Sequence, residues 1–416
     1  MLYGVIGEHL GHSFSKEIHS YIGDYDYSVT EIAKDDLEAF IKAKNFSGIN
    51  VTIPYKQAVI PFLDEISAEA KAIGAVNTIV NKNGRLCGYN TDFFGASALI
   101  KKTGVDLKGK NVLILGTGGT SLTLSAVAKS MGARRITHVS RHGKSDLNSD
   151  PVSYEAASAL FPDTQVIINT TPVGMFPKNN SSPIDIKLFP NLCGVIDVIY
   201  NPLRSKLVQE AKSLGIAASG GLYMLAAQGV RAAELFFDKT FGEDIINKVY
   251  AAVKRDKTNT VLIGMPSSGK STVGSIIANM TNRPFYDTDI IIQNNYGADI
   301  PTIFSREGEK AFRELEKKAI GEVSPLSSSV IATGGGSVID PENVDNLRQN
   351  GVLVFLDRPL ELLTPTDDRP LAGNKERIKR LYDERYKIYS DICDIKITAD
   401  TASEETAKKV LEALKI

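Results

Sequence analysis

The sequence predicts an α/β protein of more than one domain, built largely on parallel sheets. Short β-branched or apolar runs alternate with helix-like stretches along the whole length, at Ile49–Ile53, Asn111–Leu115, Arg135–Val139, Gln165–Asn169, Gly194–Val198, Thr260–Ile263, Val330–Ala332 and Val352–Leu356. That rhythm belongs to strand–helix units. Two glycine-rich turns each follow such a run and open a helix, in NVLILGTGGTSLTLSAVAKSMG (111–132) and TVLIGMPSSGKSTVGSIIANM (260–280). They stand roughly 150 residues apart, about one domain's length. At 416 residues the chain is also too long for a single ordinary core.

Between the two turns, Leu222–Arg255 reads as one or two amphipathic helices, and the charged segment 254–259 is the expected linker. A compositional shift at 101–110 (KKTGVDLKGK) divides the front half into two lobes with a cleft between them. The expected units are therefore 1–101 together with 222–253, then 102–221, then 260–416.

Composition narrows the class. Hydrophobic residues make up 43% and charged residues 23%, near globular averages, and the net charge is −1. No overall basic field recruits nucleic acid or an anionic membrane, so anionic ligands need local arginines, lysines and backbone amides. Cys87, Cys193 and Cys393 lie far apart, without disulfide-framework or zinc spacing, and the five histidines show no metal-ligand spacing. No basic leader precedes a sustained apolar stretch and no run is long enough to span a bilayer, which points to a cytoplasmic setting.

The first turn, Gly116-Thr117-Gly118-Gly119-Thr120, follows a hydrophobic strand and opens a helix. Glycines there let the backbone turn tightly against a pyrophosphate, while the helix's first amides attract its charge. The next strand decides which dinucleotide. An NAD enzyme places an acid near its end, but here Ser140-Arg141-His142-Gly143-Lys144 stands there. Arg141, helped by Lys144, suits the 2′-phosphate of NADP; a solvated basic turn is the plainer alternative.

Upstream lie His12-Ser13-Phe14-Ser15, Asn50-Val51-Thr52-Ile53-Pro54-Tyr55-Lys56, Ala75-Val76-Asn77-Thr78 and Asn90-Thr91-Asp92. Hydroxyl and amide side chains at strand ends suit a polyhydroxylated ligand, whose every hydroxyl needs a partner. A lysine and an aspartate in one cleft could deliver a proton to a carbonyl oxygen. Taken singly, each cluster has a structural alternative: a helix cap, a turn, or a surface charge at Lys56.

Taken in order, HSFS, NVTIPYK, GAVNT, YNTD, LGTGGT, NTTPVGM, DVIYNP and GLYMLAAQ resemble the shikimate dehydrogenase family along nearly all of 1–253. The resemblance implies a two-lobed fold, with an α/β substrate lobe and a Rossmann NADP lobe, that reduces 3-dehydroshikimate. It makes Lys56 the main proton donor, with Asp92 sharing or orienting the proton. Ser13 and Ser15 would bind the substrate carboxylate, Thr52, Asn77 and Gln228 its hydroxyls, and Tyr200 would line the site. Gly116, Gly118, Gly119, Ser140 and Arg141 would hold NADP, with Thr170, Val198 and Gly221 near the nicotinamide. Two departures stand out: Lys16 where the family often has proline, and Lys144 where many members carry a second arginine.

The second turn, Gly264-Met-Pro-Ser-Ser-Gly269-Lys270-Ser271, fits the phosphate-binding loop G-x-x-x-x-G-K-[ST] between a strand and a helix. Its amides cradle phosphates, Lys270 reaches the β- and γ-phosphates, and Ser271 binds Mg²⁺. Asp287 and Asp289 could hold Mg²⁺ through water and accept a hydroxyl proton, or could simply cap a helix. Arg313 and the turn ATGGGS (332–337) suit a carboxylate, or are a solvated charge and a flexible loop.

Together GKST, DTD, FRELE, GGGS and RPL resemble shikimate kinase over about 258–416, a P-loop domain with a parallel sheet. The resemblance implies ATP and Mg²⁺ as ligands and Asp289 as the base that binds the acceptor hydroxyl, with Asp287 on the metal side. Arg313 and Arg385 would clamp the shikimate carboxylate, Glu316 would hold Arg313, and Gly334, Gly335 and Gly336 would contact the ring acid. Gly264, Ser267, Ser268, Gly269, Lys270, Ser271 and Thr272 would hold ATP, with Arg369 arriving from a shortened lid. The expected partners are 3-dehydroshikimate and shikimate, without nucleic acid or membrane; self-association is left open. Alternatives are a quinate-type dehydrogenase, and a kinase or non-catalytic module for another small hydroxy acid.

Overall fold

The computed structural model describes residues 3–10, 14–141, 151–365 and 370–416. The chain divides into two compact units. One comprises Met1–Asn201 with Ser205–Lys254, and the other Pro202–Arg204 with Arg255–Ile416. Sixteen strands among the described residues form three sheets.

The first sheet contains β1 (Tyr3–Gly7), β2 (Tyr27–Glu31), β3 (Gly48–Val51), β4 (Glu65–Ile66), β5 (Thr78–Lys82) and β6 (Arg85–Tyr89), in the order β2-β1-β3-β5-β6-β4. It is mixed rather than parallel: β3, β5 and β6 run antiparallel. The reversal between β5 and β6 is a tight hairpin at Asn83-Gly84, both with positive φ (53° and 89°), the backbone that an Asn-Gly pair favours. Strand β3 stops at Val51, two residues short of the run in the sequence, where Thr52–Tyr55 turns out of the sheet and Tyr55 N–H donates to Thr52 O at 2.9 Å. Its four residues are all buried, with Ile49 and Val51 packed among Ile6, Val76 and Ile79.

The second sheet contains β7 (Asn111–Leu115), β8 (Arg135–Val139), β9 (Val166–Asn169), β10 (Gly194–Asp197) and β11 (Ala217–Ser219), all parallel in the order β11-β10-β9-β7-β8. Chain order reverses beside β7, so the crevice at the strands' carboxyl ends opens there. The helix Leu222–Phe237 then packs along Thr91–Thr103 of the first lobe. Gly95 permits this approach, since a Cβ there would lie 2.6 Å from Met224 O.

The helix Glu243–Lys257 follows, and β12 (Asn259–Ile263) begins after Thr258 alone. The expected linker at 254–259 is therefore helix for most of its length, because Val249 and Val253 remain buried on one face of that helix. The third sheet adds β13 (Phe285–Asp287), β14 (Val330–Ala332), β15 (Gly351–Asp357) and β16 (Ile395–Thr398), all parallel in the order β13-β14-β12-β15-β16. Val261, Ile263, Ile331, Leu353 and Phe355 are buried on one side of it, and Leu262, Val330, Val354 and Leu356 on the other. Continuous apolar runs suit a parallel sheet covered on both faces.

Candidate active sites

In the first unit, Lys56 sits on the turn after β3, held by Val76 N–H donating to Lys56 O at 2.8 Å. Asp92 lies in the first turn of helix Thr91–Thr103, whose N-cap Asn90 accepts from Phe93 N–H at 3.1 Å. The cap places Asp92 so that Lys56 Nζ donates to Asp92 Oδ2 at 2.5 Å. These side chains are 19% and 12% exposed, enough to meet a ligand yet shielded enough for the charges to matter.

Beside that pair runs a buried polar chain. Asn77 Oδ1 accepts from Thr91 N–H at 2.7 Å, Asn77 Nδ2 lies 3.1 Å from Thr91 Oγ1, and Thr91 Oγ1 donates to Gln228 Oε1 at 3.3 Å. Asn50 Nδ2 donates to Thr78 Oγ1 at 3.0 Å and Asn50 Oδ1 accepts from Tyr27 Oη at 2.7 Å. His19 stacks on Tyr27 with centroids 3.8 Å apart; burial pulls its pKa down to about 3, against a hydrogen bond to Asn50. Asn77 and Gln228 are thus brought together as expected. Asn50, Thr91 and His19 were not singled out individually, since only the packing of strand β3 against two helices reveals that they continue the same chain. Thr52 is half-buried beside Gly7. Ser15 heads the helix Ser15–Ile22, and Phe14 before it packs edge-on against Tyr200 at 5.1 Å. Ser13 lies outside the described residues.

The carboxyl ends of the second sheet carry the glycine turn. Gly116 has φ of 105°, and a Cβ on it would lie 2.7 Å from Thr170 Oγ1, so only glycine fits without strain. Gly118 caps helix Gly119–Ser130, and nothing lies within 4 Å of a Cβ on Gly118 or Gly119. Thr170 follows β9, with its Oγ1 donating to Leu115 O at 2.6 Å. Val198 follows β10, and Gly221 abuts its carbonyl so closely that a side chain there would collide with it. Ser140 and the exposed Arg141 follow β8; Lys144 lies outside the described residues.

In the second unit the phosphate-binding loop is wound as its sequence requires, with positive φ at Gly264 (144°), Ser267 (63°) and Gly269 (88°). Gly269 caps helix Lys270–Thr281. Lys270 Nζ donates to Gly264 O and Met265 O at 2.9 and 2.8 Å, and lies 3.5 Å from Ser268 Oγ. Thr272 is exposed one position past Ser271. Ser271 Oγ donates to Asp287 Oδ2 at 2.5 Å, while Asp287 Oδ1 accepts from Asp289 N–H at 2.9 Å. Asp287 therefore caps a helix and also faces Ser271. Hydroxyl and carboxylate are hard oxygen donors of the kind Mg²⁺ takes, and they fit it. Among the described residues no group of three or more His, Cys, Asp or Glu could hold a metal ion by itself.

A pocket of about 430 Å³, open to solvent, is lined by Asp289, Arg313, Glu316, Gly334, Gly335, Gly336 and Arg385, with Phe304 and Phe312 on its apolar side. Arg313 donates to Glu316 Oε2 at 2.8 Å and to Glu309 Oε1 at 3.0 Å, and Glu316 Oε1 accepts from Ser337 Oγ at 2.7 Å. It is not one solvated helix charge among many. Arg385 is 6% exposed and donates to Gly335 O at 3.3 Å. The glycines are close-approach positions: a Cβ on Gly334 would lie 2.7 Å from Asp289 Oδ1, and one on Gly336 would strike the Arg313 guanidinium. Arg369 lies outside the described residues.

Fold and sites define an α/β chain with a dinucleotide-type crevice beside a lysine–aspartate pair, and separately a P-loop phosphotransferase domain. Residues 5–79 match the family model for the shikimate dehydrogenase substrate binding domain, and 266–415 match shikimate kinase. Over 266 residues the chain is 37% identical to the shikimate dehydrogenase (NADP(+)) of Clostridium perfringens (strain SM101 / Type A), covering 60% of this chain and 98% of that protein. Shikimate dehydrogenase 1 from Peptoclostridium difficile is 36% identical with a TM-score of 0.56, covering 61% of this chain and 97% of its own. A chorismate mutase/shikimate 5-dehydrogenase fusion protein from Clostridium acetobutylicum is 34% identical with a TM-score of 0.58, at coverages of 61% and 97%. The chain belongs to the shikimate dehydrogenase family and carries a shikimate kinase domain after it, which makes it a bifunctional shikimate-pathway enzyme.

Proposed function

We propose that the first unit reduces 3-dehydroshikimate to shikimate with NADPH, and that the second phosphorylates shikimate from ATP. Lys56 donates the proton that turns the substrate carbonyl oxygen into a hydroxyl, and Asp92 holds and orients the ammonium, sharing its proton; the neutral amine left behind regains a proton from solvent. Asn77, Thr52 and Gln228 meet the ring hydroxyls, Ser13 and Ser15 the carboxylate, and Tyr200 closes one side. Bound NADPH supplies the hydride. Its phosphates suit the open space around Gly118 and Gly119, its 2′-phosphate suits Arg141 with Ser140 beside it, and Thr170, Val198 and Gly221 flank the nicotinamide. A basic residue where an NAD enzyme has an acid supports this preference, as does the C. perfringens relative, which is an NADP(+) enzyme.

In the second unit Asp289 takes the proton of the acceptor hydroxyl. Arg313, held by Glu316, and Arg385 grip the carboxylate, and Gly334, Gly335 and Gly336 leave room for the ring. Gly264, Ser267, Ser268, Gly269, Lys270 and Thr272 bind the phosphates of ATP, with Arg369 closing over them, and Ser271 with Asp287 would hold Mg²⁺. The observation that carries the reading is the Lys56–Asp92 contact at 2.5 Å between residues 36 positions apart, set against the hydrogen-bonded chain that a polyol needs. Substitution separates the halves. Lys56→Ala should lower NADPH oxidation by orders of magnitude and leave phosphate transfer to added shikimate, and Lys270→Ala should do the reverse. Loss of both activities from either change in a folded chain contradicts two independent sites.

A further inference from the structure

We propose that Asn169 and Asp197 act as one positioning unit of the dehydrogenase, a buried clamp that fixes the two loops flanking the nicotinamide against each other. The inference rests on the reading above for the place of Thr170 and Val198.

Both residues are fully buried, both end parallel strands (β9 and β10), and the two are partners in the sheet register. Their side chains join as well: Asn169 Nδ2 donates to Asp197 Oδ1 at 3.0 Å. From that junction the bonds run outward into each loop. Asn169 Oδ1 accepts from Thr171 N–H at 3.0 Å and from Thr171 Oγ1 at 2.7 Å, and Thr171 Oγ1 accepts from Val173 N–H at 3.3 Å. On the other side, Asp197 Oδ1 accepts from Ile199 N–H at 3.0 Å, and Asp197 Oδ2 accepts from Ser205 Oγ at 2.5 Å. Ser205 Oγ in turn caps helix Lys206–Ser213 by accepting from Val208 N–H at 3.4 Å. The residue after each clamp member, Thr170 or Val198, is the one assigned to the nicotinamide.

A fully buried carboxylate with no cationic partner among the described residues is an expensive way to fill a core. Burial pushes the Asp197 carboxyl up to about 6, against the pull of hydrogen bonds from Ser205, Ile199 and Asn169. Apolar residues at both strand ends would pack equally well, but they would leave the two loops free to shift independently. Hydride transfer tolerates little such freedom, since a misplacement of about 1 Å can lower a rate by about 100-fold. Neither residue touches the reacting atoms; each acts through the loop it holds.

The test uses the full chain and measures kcat, both KM values, the primary isotope effect with NADPH deuterated at the transferred position, and the melting temperature. Asp197→Ala should lower kcat roughly 100-fold and enlarge the isotope effect, with KM for 3-dehydroshikimate changed by less than about 2-fold. Asp197→Asn keeps an acceptor for Asn169 and Ile199 and offers its Nδ2 to the rotatable Ser205 hydroxyl, so it should recover kcat to within about 5-fold of the parent. Should Asp197→Ala fail to fold, Thr171→Val removes both hydrogen bonds of the Thr171 hydroxyl, to Asn169 and from Val173, at nearly constant shape and should lower kcat about 5-fold with an enlarged isotope effect. Parental kcat and isotope effect in Asp197→Ala and Thr171→Val, with only the melting temperature lowered, would overturn the clamp. A parent chain that does not reduce 3-dehydroshikimate would overturn the underlying reading, and the clamp with it.

Discussion

Lys56 and Asp92 show what a residue contributes when its neighbours fix it. The ammonium can deliver a proton because Asn90 caps the helix that presents Asp92, and the turn after β3 presents Lys56. Lys56→Ala should lower kcat for reduction by about 10² to 10⁴-fold, the span of a lost general acid, while phosphate transfer is unchanged. The Arg313 guanidinium is held by Glu316 and Glu309, so it presents a planar fork that lysine cannot copy. Arg313→Lys should raise KM for shikimate at least about 10-fold with KM for ATP unaltered, measured by initial rates. Residues of this kind were legible in the sequence because their chemistry sits in short motifs. Asn169, Asp197, His19, Asn50 and Thr91 were not, since a polar side chain declares its partner only when strands and helices are packed together.

At the scale of elements, the glycine turns succeed through close approach as much as through conformation. Gly336 has an ordinary φ of −101°, yet a Cβ there would strike Arg313. Gly336→Ala should therefore displace the guanidinium and raise KM for shikimate, leaving KM for ATP and the melting temperature near parental values; an unchanged KM would contradict the packing. Gly116→Ala meets both a φ of 105° and Thr170, and should weaken NADPH binding as well as lower stability by about 1 kcal/mol or more. The central strands of the two parallel sheets were readable from short apolar runs, which burial on both faces demands, whereas the edge strands β11, β13 and β16, short or only partly buried, were not. The antiparallel β5–β6 hairpin was missed although Asn83-Gly84 advertises it, because its strands are short and half-polar. The 254–259 segment does contain the division between the two units, at Lys254 and Arg255, but most of it is the end of a helix, which its run of charges did not announce.

Across the whole molecule, two units carry two chemistries, and the first can be probed through a buried titrating group. The folded-state pKa of His19 is about 3, below the ordinary 6.5, because burial disfavours the charged ring. The unfolded chain therefore binds a proton that the folded chain refuses between those values. The contribution is intact above about pH 6.5 and is lost as pH falls toward 3. Urea unfolding of the dehydrogenase unit should show stability falling across that window, and His19→Gln should flatten this dependence even though it loses the stack on Tyr27. The order of the two units and the chemistry of both turns were visible at this scale in the sequence, since each turn needs its own strand and helix.

Conversion of 3-dehydroshikimate by the purified chain, followed by mass spectrometry with NADPH and MgATP added singly and together, tests the central claim most directly. Shikimate should form with NADPH alone, nothing with MgATP alone, and a phosphorylated shikimate only with both. A phosphorylated product without NADPH, or shikimate that accumulates unphosphorylated with both nucleotides present, would contradict two consecutive reactions on one ring acid.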